Sequence, residues 1–369
     1  MRATDWRSTP LAKRLGLAAP IVQGPFGSGL SSVELTAAVS ESGGLGSFGV
    51  HHLEAGGIRK VASAIRTRTN RPFALNLWIP HEDSEDPRLG DEAFENAIAT
   101  LRPYYEELGV PVPSRPVRFT PPYAEQIDAL LDVKPAVFSF VFGVPAPEVL
   151  ARCRELGIVT VATVTSVEEA QVVERAGVDA VVASGFEAGG HRISFLRAAE
   201  ESLTGTLSLV PMVVDAVRIP AIAAGGIADG RGIAAALCLG AQAVQVGTAF
   251  LACDESAAPE VHRNALRSPE ARDTALTRAF TGRLARGIKN RFIQERRAHE
   301  SELPRYPVQA WLTSRYRQAA VERERSDLLP LWSGQSAPLI RHRKARELFE
   351  ALVANTEDVL ARRGAFAGS

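Results

Sequence analysis

The stretch AAGGIADGRGIAAALCLGAQAVQVGTAFL, residues 223–251, contains one complete strand–helix–strand unit. A short apolar run ends in the pair Gly225-Gly226, and a segment of helical periodicity follows it. A second apolar run then ends at Gly247-Thr248. Strands that are apolar on both faces and joined through a helix indicate a parallel sheet covered by helices.

The same alternation extends through most of the chain. Eight apolar or β-branched runs alternate with segments of helical periodicity, and glycine, proline and small polar residues separate them. The runs are residues 20–27, 45–50, 72–79, 136–143, 158–164, 179–185, 220–226 and 243–251. Eight such units predict an α/β fold of the (β/α)8 TIM-barrel type, and a doubly wound open sheet is the alternative.

Two segments interrupt this alternation. One follows the third predicted strand, and the other begins at about residue 256, where the chain becomes rich in arginine and in helical periodicity. Both should leave the carboxyl ends of the strands, where barrel active sites lie, and so form an additional, mostly helical substrate or cap domain. The alternative is that these two segments only decorate the surface of the barrel. The predicted division is 1–80 and 120–255 for the barrel, 81–119 and 256–330 for the cap, and 331–369 packing back on the barrel.

Composition excludes several classes of function. The 369 residues contain 42 Lys and Arg against 42 Asp and Glu, so no overall charge favours nucleic acid or an anionic membrane. The arginines between Arg283 and Arg297 are interpreted as a solvated helical face. Cys153, Cys238 and Cys253 fit neither a metal spacing nor a disulfide framework, and no metal site is predicted. Without a signal-peptide pattern or a membrane-length apolar run, we expect a cytoplasmic protein, with a homodimer left open.

Glycines at the ends of the last two predicted strands indicate a phosphate site. In barrels, the loops after strands seven and eight commonly bind a phosphate through backbone N–H groups. Gly225, Gly226 and Gly247 would let the backbone approach closely, and Thr248 could add a hydroxyl. Tight turns alone are the alternative explanation of these glycines.

Polar residues in two other predicted strands indicate a heterocycle. Gln23 and Asn76 interrupt apolar runs, and amide side chains there can hydrogen-bond a flat ring. Each could equally satisfy a buried backbone group. Together with the phosphate site on the opposite rim, the pattern favours flavin mononucleotide (FMN).

The segment EAGGHR, residues 187–192, supplies the candidate catalytic residue. His191 follows the sixth predicted strand, and an imidazole with an ordinary pKa of about 6.5 suits removal of an acidic carbon-bound proton. Gly189 and Gly190 would let the backbone pass close to a flavin, whereas Glu187 and Arg192 are expected to hold the loop. The remaining histidines are expected to be solvated: His51, His52, His81, His262, His299 and His342.

Taken in order, these motifs resemble the flavin-dependent nitronate monooxygenases, formerly called 2-nitropropane dioxygenases. The matching segments are PIVQGPFG (20–27), PFALNLWIP (72–80), FSFVFGVP (138–145), SGFEAGGHR (184–192), residues 223–251, TGRLARGIKNRF (281–292), YPVQ (306–309) and LWSGQ (331–335). The resemblance implies a barrel with noncovalent FMN and a helical substrate domain. It also implies that His191 is the active-site base.

The same resemblance assigns residues to the site. The residues implied near FMN are Gln23, Asn76, Ser184, Gly189, Gly190, Gly225, Gly226, Gln245, Val246, Gly247 and Thr248, and those in the substrate pocket are Phe26, Val141 and Tyr306. Three positions depart from the family pattern. Ser184 stands where glutamine is usual, Phe26 where methionine is common, and Val141 where a polar residue or histidine is common. Val141 would make the pocket more apolar, and we expect a substrate other than the simplest nitronates.

The function that the resemblance implies is that of an oxidoreductase. Nitronates, or nitroalkanes after deprotonation, would reduce the flavin and react with O2, which gives a carbonyl compound and nitrite. One alternative is an NAD(P)H-dependent FMN reductase that acts on enoyl thioesters or quinones. A second is a catalytically idle barrel that serves as a scaffold.

Overall fold

The computed structural model describes residues 6–81 and 90–366, and eight of its strands form a barrel. The barrel strands are β1 Ile21–Gln23, β2 Gly46–Gly49, β3 Phe73–Trp78, β4 Val137–Val141, β5 Val159–Val164, β6 Ala180–Ser184, β8 Ala221–Ala224 and β9 Ala243–Val246. A separate small sheet contains β7 Gly190–His191, β10 Thr274–Thr277 and β11 Ala285–Ile288. All eight barrel strands fall within the runs that the sequence predicted.

Fourteen helices are assigned within the described residues. They are α1 Pro10–Leu15, α2 Val33–Glu41, α3 Ala55–Arg66, α4 Asp91–Glu107, α5 Tyr123–Val133, α6 Pro147–Glu155, α7 Val167–Arg175, α8 Thr206–Ala216, α9 Gly230–Cys238, α10 Thr248–Leu251, α11 Glu260–Arg267, α12 Arg291–Arg296, α13 Val308–Glu322 and α14 Ala345–Phe366. Side-chain hydrogen bonds at the N-cap residues explain where several of these helices begin. Ser32 and Ser166 accept hydrogen bonds from Leu35 N and Glu169 N, and Asp229 accepts from Arg231 N.

The barrel sheet is parallel and closed. Its strand order is β1-β9-β8-β6-β5-β4-β3-β2, and every pairing in it is parallel. Closure between the first and last strands comes from Leu45, whose N–H donates to Ile21 O at 3.0 Å and whose carbonyl accepts from Gln23 N at 2.9 Å. The predicted TIM barrel is confirmed and the open sheet is excluded, because an open sheet would leave these two edges unpaired.

Three apolar clusters stabilise this arrangement. One fills the space between the sheet and its outer helices, and a second fills the barrel interior. Leu11 and Leu15 of α1 belong to the interior cluster and cover the end of the barrel opposite the carboxyl ends of the strands. A third cluster lies in the appended part, between α4 and the segment from Leu251 to Ala337. The site is thus confined to one open end of a packed barrel.

The appended part differs from the prediction in one respect. It contains the small sheet, in which β10 and β11 pair antiparallel and β11 also pairs with β7. The interpretation of the arginines from Arg283 to Arg297 as a solvated helical face is therefore wrong at its start. Arg283 and Arg286 are each 3% exposed and flank or belong to a strand.

Helix α14 packs against α9 and α2 on the outside of the barrel, whereas Leu331 and Trp332 belong to the third apolar cluster, in the appended part. The predicted division into 1–80, 120–255 and 331–369 against 81–119 and 256–330 stays a prediction. Parts of it (1–5, 82–89 and 367–369) lie outside the described residues. Within residues 6–81 and 90–366, no helix combines the length and apolar character that a bilayer crossing requires.

Candidate active site

A pocket opens at the carboxyl ends of the barrel strands. Its walls come from strand ends and from the segment around Trp332, in the appended part. The lining includes Gly24, Pro25, Phe26, Gly27, Ser28, Leu30, Asn76, Trp78, Val141, Thr163, Ser184, Ala188, Gly189, Gly190, His191, Ile193, Ala224–Ala228, Gln245, Gly247, Thr248, Leu251, Trp332, Gly334 and Ser336. Most residues assigned from the sequence are brought together here, since parallel strands place their carboxyl ends at one edge.

Three of the assigned residues lie outside this lining. The Gln23 side chain is fully buried, accepts from Ser47 N at 2.9 Å and donates to Gly24 O. These bonds match the alternative of satisfying buried backbone groups. Val246 is also buried, below the lining residues Gln245 and Gly247. Tyr306 lies at the rim, with its ring centroid 5.3 Å from that of Trp78.

One rim of the pocket presents backbone N–H groups. Gly225 and Gly226 have φ of 102° and 72°, which is the left-handed region that glycine tolerates. Within the described residues, the amides of Gly226, Ile227 and Ala228 donate no hydrogen bond. A Cβ built at Gly247 would meet no atom within 4 Å. Consecutive amides that lack partners beside open space suit a phosphate group.

Amide side chains lie on the floor of the pocket. Asn76 Nδ2 donates to Ser139 Oγ at 3.0 Å, which orients this side chain of β3. Gln245 at the end of β9 lines the pocket, and its side chain makes no hydrogen bond to the part of the chain that the structure describes. These groups are suited to hydrogen-bond a polar planar ring.

The backbone of His191 is fixed by sheet pairing. β7 pairs antiparallel with β11, so that His191 lies opposite Ala285. Its side chain is oriented as well, because Nε2 lies 2.9 Å from Thr281 Oγ1. The Thr281 hydroxyl donates to Arg283 O at 3.1 Å, so it accepts from Nε2–H. In the neutral ring, Nδ1 is therefore the nitrogen that can accept a proton.

The rest of EAGGHR anchors the loop. Glu187 accepts from Thr206 N at 3.0 Å, and Arg192, only 2% exposed, donates to the carbonyls of Ser184, Gly185 and Ser202. Burial lowers the pKa of Arg192 to about 10, and Arg286 adds to this effect. A Cβ at Gly189 would lie 2.5 Å from Gly334 N, so this glycine permits a close approach of the two chain segments.

Aromatic rings form a wall that the sequence did not reveal. The Trp78 ring stacks on His51 with 3.9 Å between centroids and lies 4.9 Å from His191. Trp332 lies 5.5 Å from His191 on another side. The position of Trp78 two residues after Asn76, on the same face of β3, was the available signal. Trp332 lies in the family-matching segment LWSGQ, but its place in the wall depends on a distant contact, an isolated bridge to Gly287.

Of the histidines that we expected to be solvated, His262 is buried and His51 is half-buried. His262 is 2% exposed and its Nε2 lies 3.0 Å from Trp332 O. Burial lowers its pKa to about 4. The pKa of His51 is lowered well below its ordinary value, first by burial and then by the nearby His52, His191 and Arg283. Both rings are therefore neutral at neutral pH.

The three departures from the family pattern all line the pocket: Phe26, Val141 and Ser184. Phe26 is held through its backbone, which bonds to Ser31 Oγ in both directions. Ser184 is 7% exposed at the end of β6. Val141 lies opposite Trp78 in the pairing of β3 with β4, and the expected apolar character of the pocket stays a prediction.

Comparison with known proteins identifies the family. The family model described as nitronate monooxygenase matches residues 8–355. A probable nitronate monooxygenase of Staphylococcus aureus (strain Newman) is 38% identical over 356 residues, covering 96% of this chain and 99% of that protein. The chain belongs to the nitronate monooxygenase family. It is therefore an oxidoreductase, and the predicted resemblance is confirmed.

Solved structures agree with this assignment. The nitroalkane oxidase from Streptomyces ansochromogenes is similar with a TM-score of 0.85 and 40% identity, over 95% of this chain and 99% of that one. FabK from Thermotoga maritima is similar with a TM-score of 0.74 and 29% identity, over 97% and 99%. Membership of an oxidoreductase family removes the basis for an idle scaffold.

The buried His262 predicts acid sensitivity in this family member. Its folded-state pKa lies below that of the unfolded chain, so the unfolded state binds the extra proton first. Stability should fall as the pH drops from about 6.5 towards about 4, by at most about 3 kcal/mol from this group. We expect the His262→Gln variant to show a shallower loss of melting temperature over this range.

The matched control is His299→Gln, since His299 is exposed. This variant should keep the pH dependence of the parent protein. Thermal melts at pH 7, 6, 5 and 4.5 make the comparison. Identical pH dependence for His262→Gln and the parent would contradict the assignment.

Proposed function

We propose that this chain binds FMN and oxidises nitronates with O2, releasing a carbonyl compound and nitrite, and that it also acts on nitroalkanes after deprotonating them. The observation that carries the proposal is the placement of His191, oriented by Thr281, beside a pocket whose other rim presents unpartnered backbone amides. Family membership supports the same reaction.

FMN fits the groups that line the pocket. The amides of Gly226, Ile227 and Ala228 would hold the phosphate, with space beside Gly247. Asn76 and Gln245 would hydrogen-bond the ring system, with further polar contacts from Thr163 and Ser184. Gln23 and Val246 would not contact FMN directly. They would position the backbone at the ends of β1 and β9. Bound FMN would supply the electron transfer between substrate and oxygen.

Proton removal is the step that the side chains of this chain perform. A nitro group makes the adjacent C–H acidic because it spreads the resulting negative charge over its oxygens. His191 would accept that proton at Nδ1, while Thr281 keeps Nε2–H directed away from the substrate. A preformed nitronate has already lost this proton. The histidine is therefore needed for one class of substrate far more than for the other.

Apolar side chains control access of water. Trp78, Phe26 and Val141 surround the space next to His191, and Tyr306 lies at the rim against Trp78. A pocket that excludes water protects reactive intermediates from side reactions. The same walls favour a substrate with an apolar body over the smallest nitronates.

A second candidate function is supported by the likeness to FabK. A reductase of that kind would take electrons from NAD(P)H and act on an enoyl thioester or a quinone. The identity to FabK is 29%, against 40% to nitroalkane oxidase, and the TM-scores are 0.74 and 0.85. These values favour the nitronate reaction.

Replacing the proposed base should separate the two substrate classes. With His191→Ala, kcat/KM for a neutral nitroalkane should fall by about 10²- to 10⁴-fold, because general base catalysis is lost. Oxidation of the preformed nitronate should be far better preserved. Oxygen consumption and nitrite release measure both. Equal losses on the two substrates would contradict the role of the base.

Thr281→Val provides a positioning control for the same prediction. Loss of one hydrogen bond, about 1 kcal/mol, should lower nitroalkane turnover several-fold. Its pH profile should change with the nitroalkane and stay unchanged with the nitronate. A purely structural role would instead change both profiles in the same way.

The proposed phosphate site predicts that one added methyl group at Gly247 weakens FMN binding. Gly247 has φ of −99°, outside the left-handed region that favours glycine, and an added methyl would meet no atom within 4 Å. We expect Gly247→Ala to bind FMN about tenfold more weakly, which equals about 1.4 kcal/mol. Absorbance ratios of the purified protein and FMN titration of the stripped protein measure this.

Gly56→Ala is the matched control, because Gly56 is exposed in α3 and its added Cβ also meets no atom within 4 Å. Both stripped variants should melt no lower than the parent protein. Unchanged FMN affinity in Gly247→Ala would place the phosphate elsewhere.

A further inference from the structure

A second cavity, of about 250 Å³, lies between the loop after β1 and helix α13. It shares Ser28, Leu30 and Trp332 with the active-site pocket, so the two spaces are neighbours with a common wall. Its remaining lining residues are Gly29, Ala257, Pro259, His262, Ser314, Arg317, Gln318, Val321, Leu329, Pro330 and Leu331. The proposed nitronate reaction uses none of these remaining residues.

Arg317 is the unusual member of this lining. Its Nε is buried without a hydrogen-bond partner, and its side chain makes no hydrogen bond or ion pair with residues 6–81 or 90–366. None of the lining residues is an aspartate or glutamate. Burial lowers the pKa of Arg317 from its ordinary value, yet a guanidinium stays charged in proteins. Arg317 is half-buried, and its guanidinium would gain both a counter-charge and hydrogen bonds from an anion bound in the cavity.

The other polar groups of the cavity are already engaged. Burial keeps His262 neutral, and its Nε2 bonds to Trp332 O. Ser314 donates to Trp311 O, and Gln318 donates to Glu322. Arg317 is therefore the single charge of the cavity. The rest of the wall is largely apolar, from Leu30, Val321, Leu329, Pro330, Leu331 and Trp332.

A single cation beside a largely apolar wall favours one kind of ligand. A carboxylate carries one negative charge and matches the fork of a guanidinium. A phosphate dianion would leave one charge without a partner in the same apolar surroundings. The apolar walls favour a ligand with a hydrocarbon or aromatic body attached to that carboxylate.

We propose that this cavity binds an organic monocarboxylate, with its carboxylate on Arg317 and its apolar body against Leu30, Leu329 and Trp332. The site is distinct from the one in which His191 acts, and it does not depend on the nitronate reaction. Because Trp332 borders both spaces and its ring lies 5.5 Å from that of His191, the ligand would rest against the wall of the active site.

Calorimetric titration with octanoate tests this proposal on the purified, flavin-loaded protein without any nitronate. We expect saturable binding of one octanoate per chain. Arg317→Met should weaken it about 10- to 100-fold, which is the loss expected for a hydrogen bond to a charged group. Arg315→Met is the matched control, because Arg315 is exposed on the same helix and stacks on Trp311 outside the cavity. It should bind octanoate like the parent protein.

A second variant keeps the test decisive if Arg317→Met does not fold. Val321 lies one helical turn after Arg317 and lines the cavity, so Val321→Glu would supply an internal carboxylate. This variant should lose octanoate binding and melt at a higher temperature. Octanol and inorganic phosphate, which offer only the body or only the charge, should each bind more weakly than octanoate.

Three results would overturn the proposal. These are no saturable octanoate binding by the parent protein, equal octanoate affinity in Arg317→Met or Val321→Glu and the parent, and phosphate binding as tight as octanoate binding.

Discussion

The pairing of β7 with β11 is the contact on which the active site depends. It joins the loop after the sixth barrel strand to the appended part, and it places His191 opposite Ala285. Two buried arginines strengthen the junction through backbone carbonyls. Arg192 donates to Ser184 O and Gly185 O, and Arg286 donates to Phe186 O. The strand pairing fixes the backbone of His191 and the contact with Thr281 orients its ring, as the proposed base requires.

The same junction brings Thr281 and Trp332 to the site. Thr281 lies just before β11 and orients the imidazole, whereas Trp332 bridges to Gly287 of that strand. The appended part therefore does more than cover the barrel mouth, because it supplies one wall and the hydrogen-bond acceptor of His191. Trp332 is in turn held by His262, which connects the active-site pocket to the neighbouring cavity of Arg317.

Sequence patterns predicted the barrel and most of the pocket because both depend on local signals. Alternating apolar runs mark parallel strands, and glycines mark strand ends, so Gly226, Asn76 and His191 could be placed at one edge. Contacts between distant segments left no such signal. The burial of Arg283 and Arg286 in a small sheet, and that of His262 beneath Trp332, arise only when the appended part folds over the barrel. The role of Gln23 could not be decided from the sequence, because a polar residue in a strand can hydrogen-bond a buried backbone group as readily as a ligand.

The central claim is that a nitronate is the electron donor at this pocket. Anaerobic stopped-flow mixing of the FMN-loaded protein with an alkyl nitronate, and separately with NADH, tests it most directly. Rapid loss of the flavin absorbance with the nitronate and none with NADH is the predicted result. Rapid loss with NADH and none with any nitronate would contradict the account and favour the reductase.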